Sequence, residues 1–185
     1  MTVWRRVGAA GRGLLGAVSL VGGLTWMLLN LDRPGPATDM IVGTVLAAGG
    51  LVLLMPHRVG LPGRVTAATT VGAALAGTAA GLLAASEYTA GMYAYVASRG
   101  WPFDWLARGG TADDPATARQ LAAQTGWQFD AVNLAADLYF WAFVGLLAVA
   151  IAGRVRRRGA ARREAQAPVS PGPGVPQRGA EAGRP

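Results

Sequence analysis

Three polar residues beside the last long apolar segment have a spacing that could support chemistry. Asp130, Asn133 and Asp137 follow one another at intervals of three and four residues, which places them on one face of an α-helix. The apolar stretch after Asp137, residues 138–152, is shorter than the roughly 20 residues that a membrane-spanning helix needs. Asp137 is therefore predicted inside the spanning helix, where an ionised carboxylate costs up to about 3.5 kcal/mol on insertion scales.

This polar stripe, Asp130, Asn133 and Asp137, has two physical interpretations. It can be a proton- or cation-handling site reached from outside, assisted by Glu87 at the end of the preceding helix. Alternatively, Asp137 binds threonine hydroxyls or an arginine of the neighbouring loop and locks the helices together. The structural interpretation is preferred, because buried polar groups commonly hold membrane helices together.

Other residue types give little support for catalysis. The chain has no cysteine, and its single histidine, His57, stands between Pro56 and Arg58 without a neighbouring acid. Loop acids such as Asp104 could in principle bind a metal or form an acid–base pair, but scattered loop acids are usually only solvated. No catalytic residue, metal site or cofactor is predicted. The sequence therefore favours a protein that is not an enzyme.

The distribution of apolar residues decides the class of protein. Hydrophobic residues make up 52% of the chain and charged residues 15%, and the hydrophobic residues form long blocks. A soluble core of this size could not hide that much apolar surface, whereas a bilayer can. The sequence therefore predicts an all-α integral membrane protein with a four-transmembrane-helix bundle.

The predicted domains follow these blocks. Residues 1–12 form a basic N-terminus, residues 13–153 the transmembrane domain, and residues 154–185 a basic and then Pro/Gly-rich disordered tail. The predicted spans are residues 13–31, 38–55, 65–86 and 131–152, with an outer loop at 87–130. The first block is too long for the 7–15 apolar residues of a signal peptide, so it is interpreted as an uncleaved helix.

The outer loop is polar and rich in aromatic residues. Asp114 and Pro115 have the types preferred at a helix N-cap and first turn, which predicts a short helix over residues 116–125. The aromatic run from Trp101 to Trp105 is interpreted as an interfacial belt. A lid, a docking surface or a re-entrant plug are the alternatives.

Small residues in the predicted helices favour close helix contacts. Gly77 and Gly81 form a GxxxG pattern in the third span, and such patterns allow helix backbones to approach. Packing within the monomer is preferred over a dimer interface, because a chain with 27 glycines produces such patterns readily.

The orientation follows from the arginines, since the chain has no lysine. Only four of them, Arg33, Arg99, Arg108 and Arg119, fall on the side of the long loop. The positive-inside rule therefore places both termini in the cytosol, across a prokaryotic plasma membrane.

The net charge of +7 thus reflects topology more than nucleic-acid binding. The arginines after the last span are expected to meet anionic lipid headgroups: Arg154, Arg156, Arg157 and Arg158.

These features favour a structural or regulatory membrane partner whose outer aromatic loop is the contact surface. A small transporter or channel subunit that uses the polar stripe is the second hypothesis. A membrane enzyme with an outward-facing carboxylate site is the third.

Overall fold

The computed structural model describes residues 2–32, 37–55, 63–91 and 93–166. Four long helices dominate it: α1 (Thr2–Leu29), α2 (Ala37–Leu54), α3 (Gly63–Gly81) and α5 (Ala131–Gln166). Among the described residues, three segments are long and apolar enough to cross a membrane: Val7–Leu29, Ala37–Leu54 and Ala131–Gly159. Helix α3 is not one of them, because glycine, alanine and threonine make up most of it.

The prediction of an all-α fold is wrong, because the segment between α3 and α5 contains a sheet. Its strands are β1 (Ala85–Ala90), β2 (Ala94–Arg99), β3 (Leu106–Thr111) and β4 (Gln128–Phe129), antiparallel and in the order β1-β2-β3-β4. The segment has the β-branched and aromatic residues that strands favour, such as Tyr88, Thr89 and Val96. The aromatic residues of this segment were predicted to lie at a membrane interface instead.

Three helix boundaries also differ from the predicted spans. Helix α1 begins at Thr2, so residues 2–12, which were predicted as a separate basic N-terminus, belong to the helix. Helix α3 ends at Gly81, so Ala85 and Ser86 belong to β1 and not to a helix. Helix α5 continues past the predicted end of the fourth span, through the arginine cluster, to Gln166. The last part of α5 is rich in arginine and alanine, which are good helix formers even outside an apolar environment.

The predicted short helix is confirmed as α4 (Pro115–Gln124). Asp114 caps it, since its Oδ1 accepts hydrogen bonds from Ala116 N at 3.0 Å and Thr117 N at 2.9 Å. Hydrogen bonds from the Thr117 hydroxyl and from the backbone N–H groups also lower the pKa of Asp114. Helix α4 covers one face of the sheet, with Ala118 and Ala122 fully buried.

Glycines bring the long helices into contact. A Cβ on Gly23 of α1 would lie 2.6 Å from Gly43 O and from Ala47 N of α2. Helix α5 packs on α2 through Phe143, whose ring occupies the space beside Gly49. On its other side, Trp141 of α5 lies over Gly77 of α3. Helix α5 is therefore the element that joins the α1–α2 pair to α3.

Some sequence-based predictions fall outside the described residues. These are the turn at residues 33–36, the turn at residues 56–62 that contains His57, and the tail at residues 167–185.

Gly23→Ala should destabilise the protein by about 1–3 kcal/mol, because the added methyl group would meet the backbone of α2. Gly22→Ala is the matched control. Nothing lies within 4 Å of a Cβ at Gly22, and alanine is favoured over glycine in a helix by about 1 kcal/mol. Thermal unfolding in detergent measures both variants, and equal losses would contradict the described contact between α1 and α2.

Candidate functional site

The polar stripe lies at the end of α5 that is nearest to the sheet. Asp130 caps this helix, because its Oδ1 accepts hydrogen bonds from Val132 N at 2.9 Å and Asn133 N at 3.0 Å. Asn133 is half-buried, and Asp137 is fully buried, with 0% of its surface exposed. The stripe thus runs from an exposed helix terminus into the space between the helices.

One loop segment lies against this face of α5. We call residues 101–105, which connect β2 to β3, the capping segment. Its backbone forms four hydrogen bonds with α5 and its N-cap: Asp130 N to Trp105 O (2.9 Å), Asn133 Nδ2 to Asp104 O (2.9 Å), Phe103 N to Asp137 Oδ1 (3.4 Å) and Trp141 Nε1 to Trp101 O (3.2 Å). All three stripe residues therefore hold the same piece of backbone.

A glycine makes the approach of the capping segment possible. Gly100 has φ +127°, a conformation that side-chain-bearing residues rarely adopt, and a Cβ there would collide with Phe103 O. The chain turns at this point, and Trp105 N then donates to Arg99 O at 3.2 Å. The turn directs residues 101–103 toward the helix ends.

Aromatic rings anchor the capping segment to the helices. Trp101 packs edge-on against Phe140, with ring centroids 5.8 Å apart, and its ring lies 5.7 Å from that of Trp141. Phe103 packs against Trp26 of α1 at 6.2 Å. These rings and the hydrogen bonds of the stripe hold the segment across the ends of α1 and α5.

Asp137 keeps one oxygen without a hydrogen bond. Its Oδ2 lies 3.6 Å from the position of a Cβ on Gly81, and the Thr78 hydroxyl approaches the carboxyl group from α3. Within the described residues, neither Asp137 Oδ2 nor Thr78 Oγ1 completes a hydrogen bond. The pair can therefore take up a proton or one small hydrogen-bond donor, and this is the chemistry that the arrangement allows.

Gly77 and Gly81 of α3 both face this region. Gly77 lies under the Trp141 ring, and a Cβ on Gly81 would lie 2.9 Å from Trp101 O. Small residues at these two positions let α3 approach both α5 and the capping segment.

Glu87 lies apart from the polar stripe, in strand β1. It forms an ion pair with Arg119 of α4 at 2.6 Å, and both side chains are more than half exposed. Hydrogen bonds from Tyr95 and then from Arg119 lower the pKa of Glu87. Hydrogen bonds of Arg119 with Tyr95 and then with Glu87 raise the pKa of Arg119. The pair borders a cleft of about 340 Å³ between β1, β2 and α4.

The other loop acids have local partners. Asp104 Oδ2 accepts a hydrogen bond from the Ser98 hydroxyl at 2.7 Å, and Ser98 Oγ lies 2.6 Å from Ser86 Oγ. The described residues contain no group of three or more His, Cys, Asp or Glu that could hold a metal ion.

The sequence pattern indicates the polar stripe but not the group that the stripe binds. The partner is backbone, and backbone groups leave no mark on a sequence pattern. The available signal was Gly100 followed by a dense aromatic run, which is suited to a sharp turn and an apolar anchor. The cleft near Glu87 was not predicted, because it forms only when β1, β2 and α4 pack together.

The chain shows no significant match to any known protein family, curated protein or solved structure.

Asp137→Asn should leave thermal stability unchanged or raise it. The amide oxygen can still accept from Phe103 N, and the amide nitrogen can donate to the Thr78 hydroxyl. Asp137→Leu should cost about 1–3 kcal/mol, because Phe103 N then loses its hydrogen-bond partner at a part-buried position. Thermal unfolding in detergent compares the two variants, and a Leu variant as stable as the Asn variant would show that the carboxylate does not hold the capping segment.

Proposed function

We propose that this protein is a multi-pass plasma-membrane protein and a structural or regulatory partner of another membrane protein. In this proposal four helices span a prokaryotic membrane, both termini are cytosolic, and the sheet with α4 lies outside. The partner binds at the open edge of β1.

The case for α3 as a fourth span rests on its packing. It lies antiparallel to α5, with Gly77 beside Trp141 and Ala73 beside Gly145. Its 19 residues reach about 28 Å, close to the thickness of a bilayer core. Its threonine hydroxyls can bond to their own helix backbone, which makes them tolerable in lipid.

The case for the orientation rests on charge. The sheet is attached to one end of the helices, and the far end of α5 carries exposed arginines at 154, 156, 157 and 158. The positive-inside rule puts that end in the cytosol. Anionic headgroups of the inner leaflet would bind these arginines there.

One observation supports β1 as the contact edge. In the described part of the chain β1 is the first strand of the sheet and pairs only with β2. Gly100 N donates to Ala84 O, so the alternation of an antiparallel ladder directs the backbone groups of Ala85, Glu87 and Thr89 away from β2. An extended segment of a partner can pair with these groups.

The neighbouring cleft can determine which partner segments bind at this edge. Glu87 and Thr89 of β1 line it together with Tyr95 and Arg119. An added strand would place alternate side chains over this cleft, where a charged pair and an aromatic ring can distinguish between partners.

The contacts of the capping segment favour β1 over the aromatic loop as the contact surface. Trp101 and Phe103 are turned toward the helices. The hydrogen bonds of the polar stripe end on this segment, which favours the structural role of the stripe over transport.

Cysteine labelling tests the topology, because the chain has no native cysteine. Gln120→Cys on α4 and Arg162→Cys on α5 both place the thiol at an exposed position. A membrane-impermeant maleimide should label position 120 on intact cells and position 162 only after permeabilisation. The reverse pattern would contradict the proposed orientation.

Photo-crosslinking tests the edge of β1. A benzophenone amino acid in place of Tyr88, which is half exposed and borders the same cleft, should form an adduct with one membrane protein in cells that express the full chain. A second substitution, Thr89→Pro, should abolish this adduct, because it removes an outward N–H without removing a hydrogen bond to β2. Mass spectrometry of the adduct identifies the partner.

Thr89→Val is the matched control, since it keeps the N–H and a β-branched side chain. It should keep the adduct, and both variants should unfold at the temperature of the parent protein. An adduct that persists with Thr89→Pro, or that contains lipid only, would contradict strand addition at β1.

A further inference from the structure

The end of the sheet nearest the helices has a fixed position relative to the ends of α3 and α5. Ala85 of β1 follows α3 after three residues, and Phe129 of β4 precedes α5 by one residue. Arg99 is paired with Ala85 on one side and with Leu106 on the other, and Leu106 is paired with Phe129. We call this row of residues the base row. Because both outer strands of the row continue into long helices, the row lies where those helices leave the membrane.

Two arginines and a tryptophan meet at the base row. The guanidinium carbons of Arg99 and Arg108 lie 5.3 Å and 4.7 Å from the centre of the Trp127 ring. Arg108 is paired with Ala97 and so lies two residues farther along the strands than Arg99, about 7 Å higher. Their backbones differ in height, but both side chains extend to the same ring, so the two guanidinium groups converge at Trp127.

Neither arginine forms an ion pair among the described residues, although Arg108 attracts the Glu87 carboxylate electrostatically. Among the described residues the one ion pair joins Arg119 to Glu87, on the same face of the sheet. Arg108 Nε is buried and has no hydrogen-bond partner.

The surroundings suit an amphiphile. The side chains of Trp127 and Phe129 are 40% and 57% exposed beside the arginines. Aromatic residues with one wet edge and one apolar edge are favoured at the level of lipid headgroups. Guanidinium groups bind phosphate through paired hydrogen bonds.

We infer that Arg99, Arg108 and Trp127 form a binding site for the phosphate of an anionic phospholipid in the outer leaflet. Arg99 and Arg108 bind the phosphate, and Trp127 and Phe129 contact the glycerol and the upper acyl chain. This inference rests on the proposed membrane orientation, and it is independent of the arginines at the cytosolic end of α5. The ligand would hold the sheet at a fixed angle to the membrane.

The test uses the full chain in detergent, titrated with short-chain phosphatidylglycerol and followed by thermal shift and by native mass spectrometry. The double variant R99Q/R108Q should bind phosphatidylglycerol about 25-fold more weakly, since each arginine near a membrane surface contributes about fivefold. Phosphatidylcholine should give no comparable shift. All variants keep the arginines of α5, so their contribution to lipid binding is common to every comparison.

R119Q is the charge-matched control for R99Q, because each removes one exposed arginine from the same face of the sheet. R119Q should bind phosphatidylglycerol within about twofold of the parent protein, and R99Q about fivefold more weakly. Equal binding by R99Q and the parent protein would overturn the site. An equal loss in R119Q would also overturn it, since a diffuse positive field would then suffice.

Inorganic phosphate distinguishes the two sources of this anion. A thermal shift from inorganic phosphate equal to that from phosphatidylglycerol would overturn the lipid assignment in favour of a soluble ligand. Failure of the lipid site is distinguishable from failure of the proposed function, because the labelling of Gln120→Cys and the β1 adduct are measured without added lipid.

Discussion

The backbone of residues 101–105 needs hydrogen-bond partners at the ends of apolar helices, and α5 supplies them. Asp130 N, Asn133, Asp137 and Trp141 together bind four backbone groups of this segment. A polar backbone group buried without a partner costs free energy comparable to a lost hydrogen bond. This connection joins the turn that follows Gly100, and through it the sheet, to α5.

Helix α5 can serve this role because it is the central helix. Beyond the polar stripe, α5 contacts α2 through Phe143, which lies against Gly49. It contacts α3 through Gly145, which lies against Ala73. Without a hydrophobic driving force between helices in lipid, such contacts rely on close packing. A rigid α5 holds the polar stripe in register with the capping segment, so packing and hydrogen bonding support each other.

The sheet presents two different surfaces because of how it is attached. Its base row is tied to α3 and α5, which keeps Arg99 and Trp127 near the helix ends. Its first strand has one free edge in the described part of the chain, and α4 covers only one face. A lipid suits the first surface, since it combines cations with aromatic rings. An extended peptide suits the second, since it offers unpaired backbone groups.

The sequence by itself determined the long apolar helices and the capped helix α4, because hydrophobic blocks and an Asp-Pro N-cap are local signals. It also singled out Asp137, since a carboxylate within an apolar helix stands out by composition alone. Only the tertiary structure decided that Asn133 and Asp137 bind the backbone of the capping segment, and that Glu87 pairs with Arg119 in a sheet. Strand pairing joins residues far apart in the chain, and backbone groups are identical in every residue, so neither could be read from residue types and spacing.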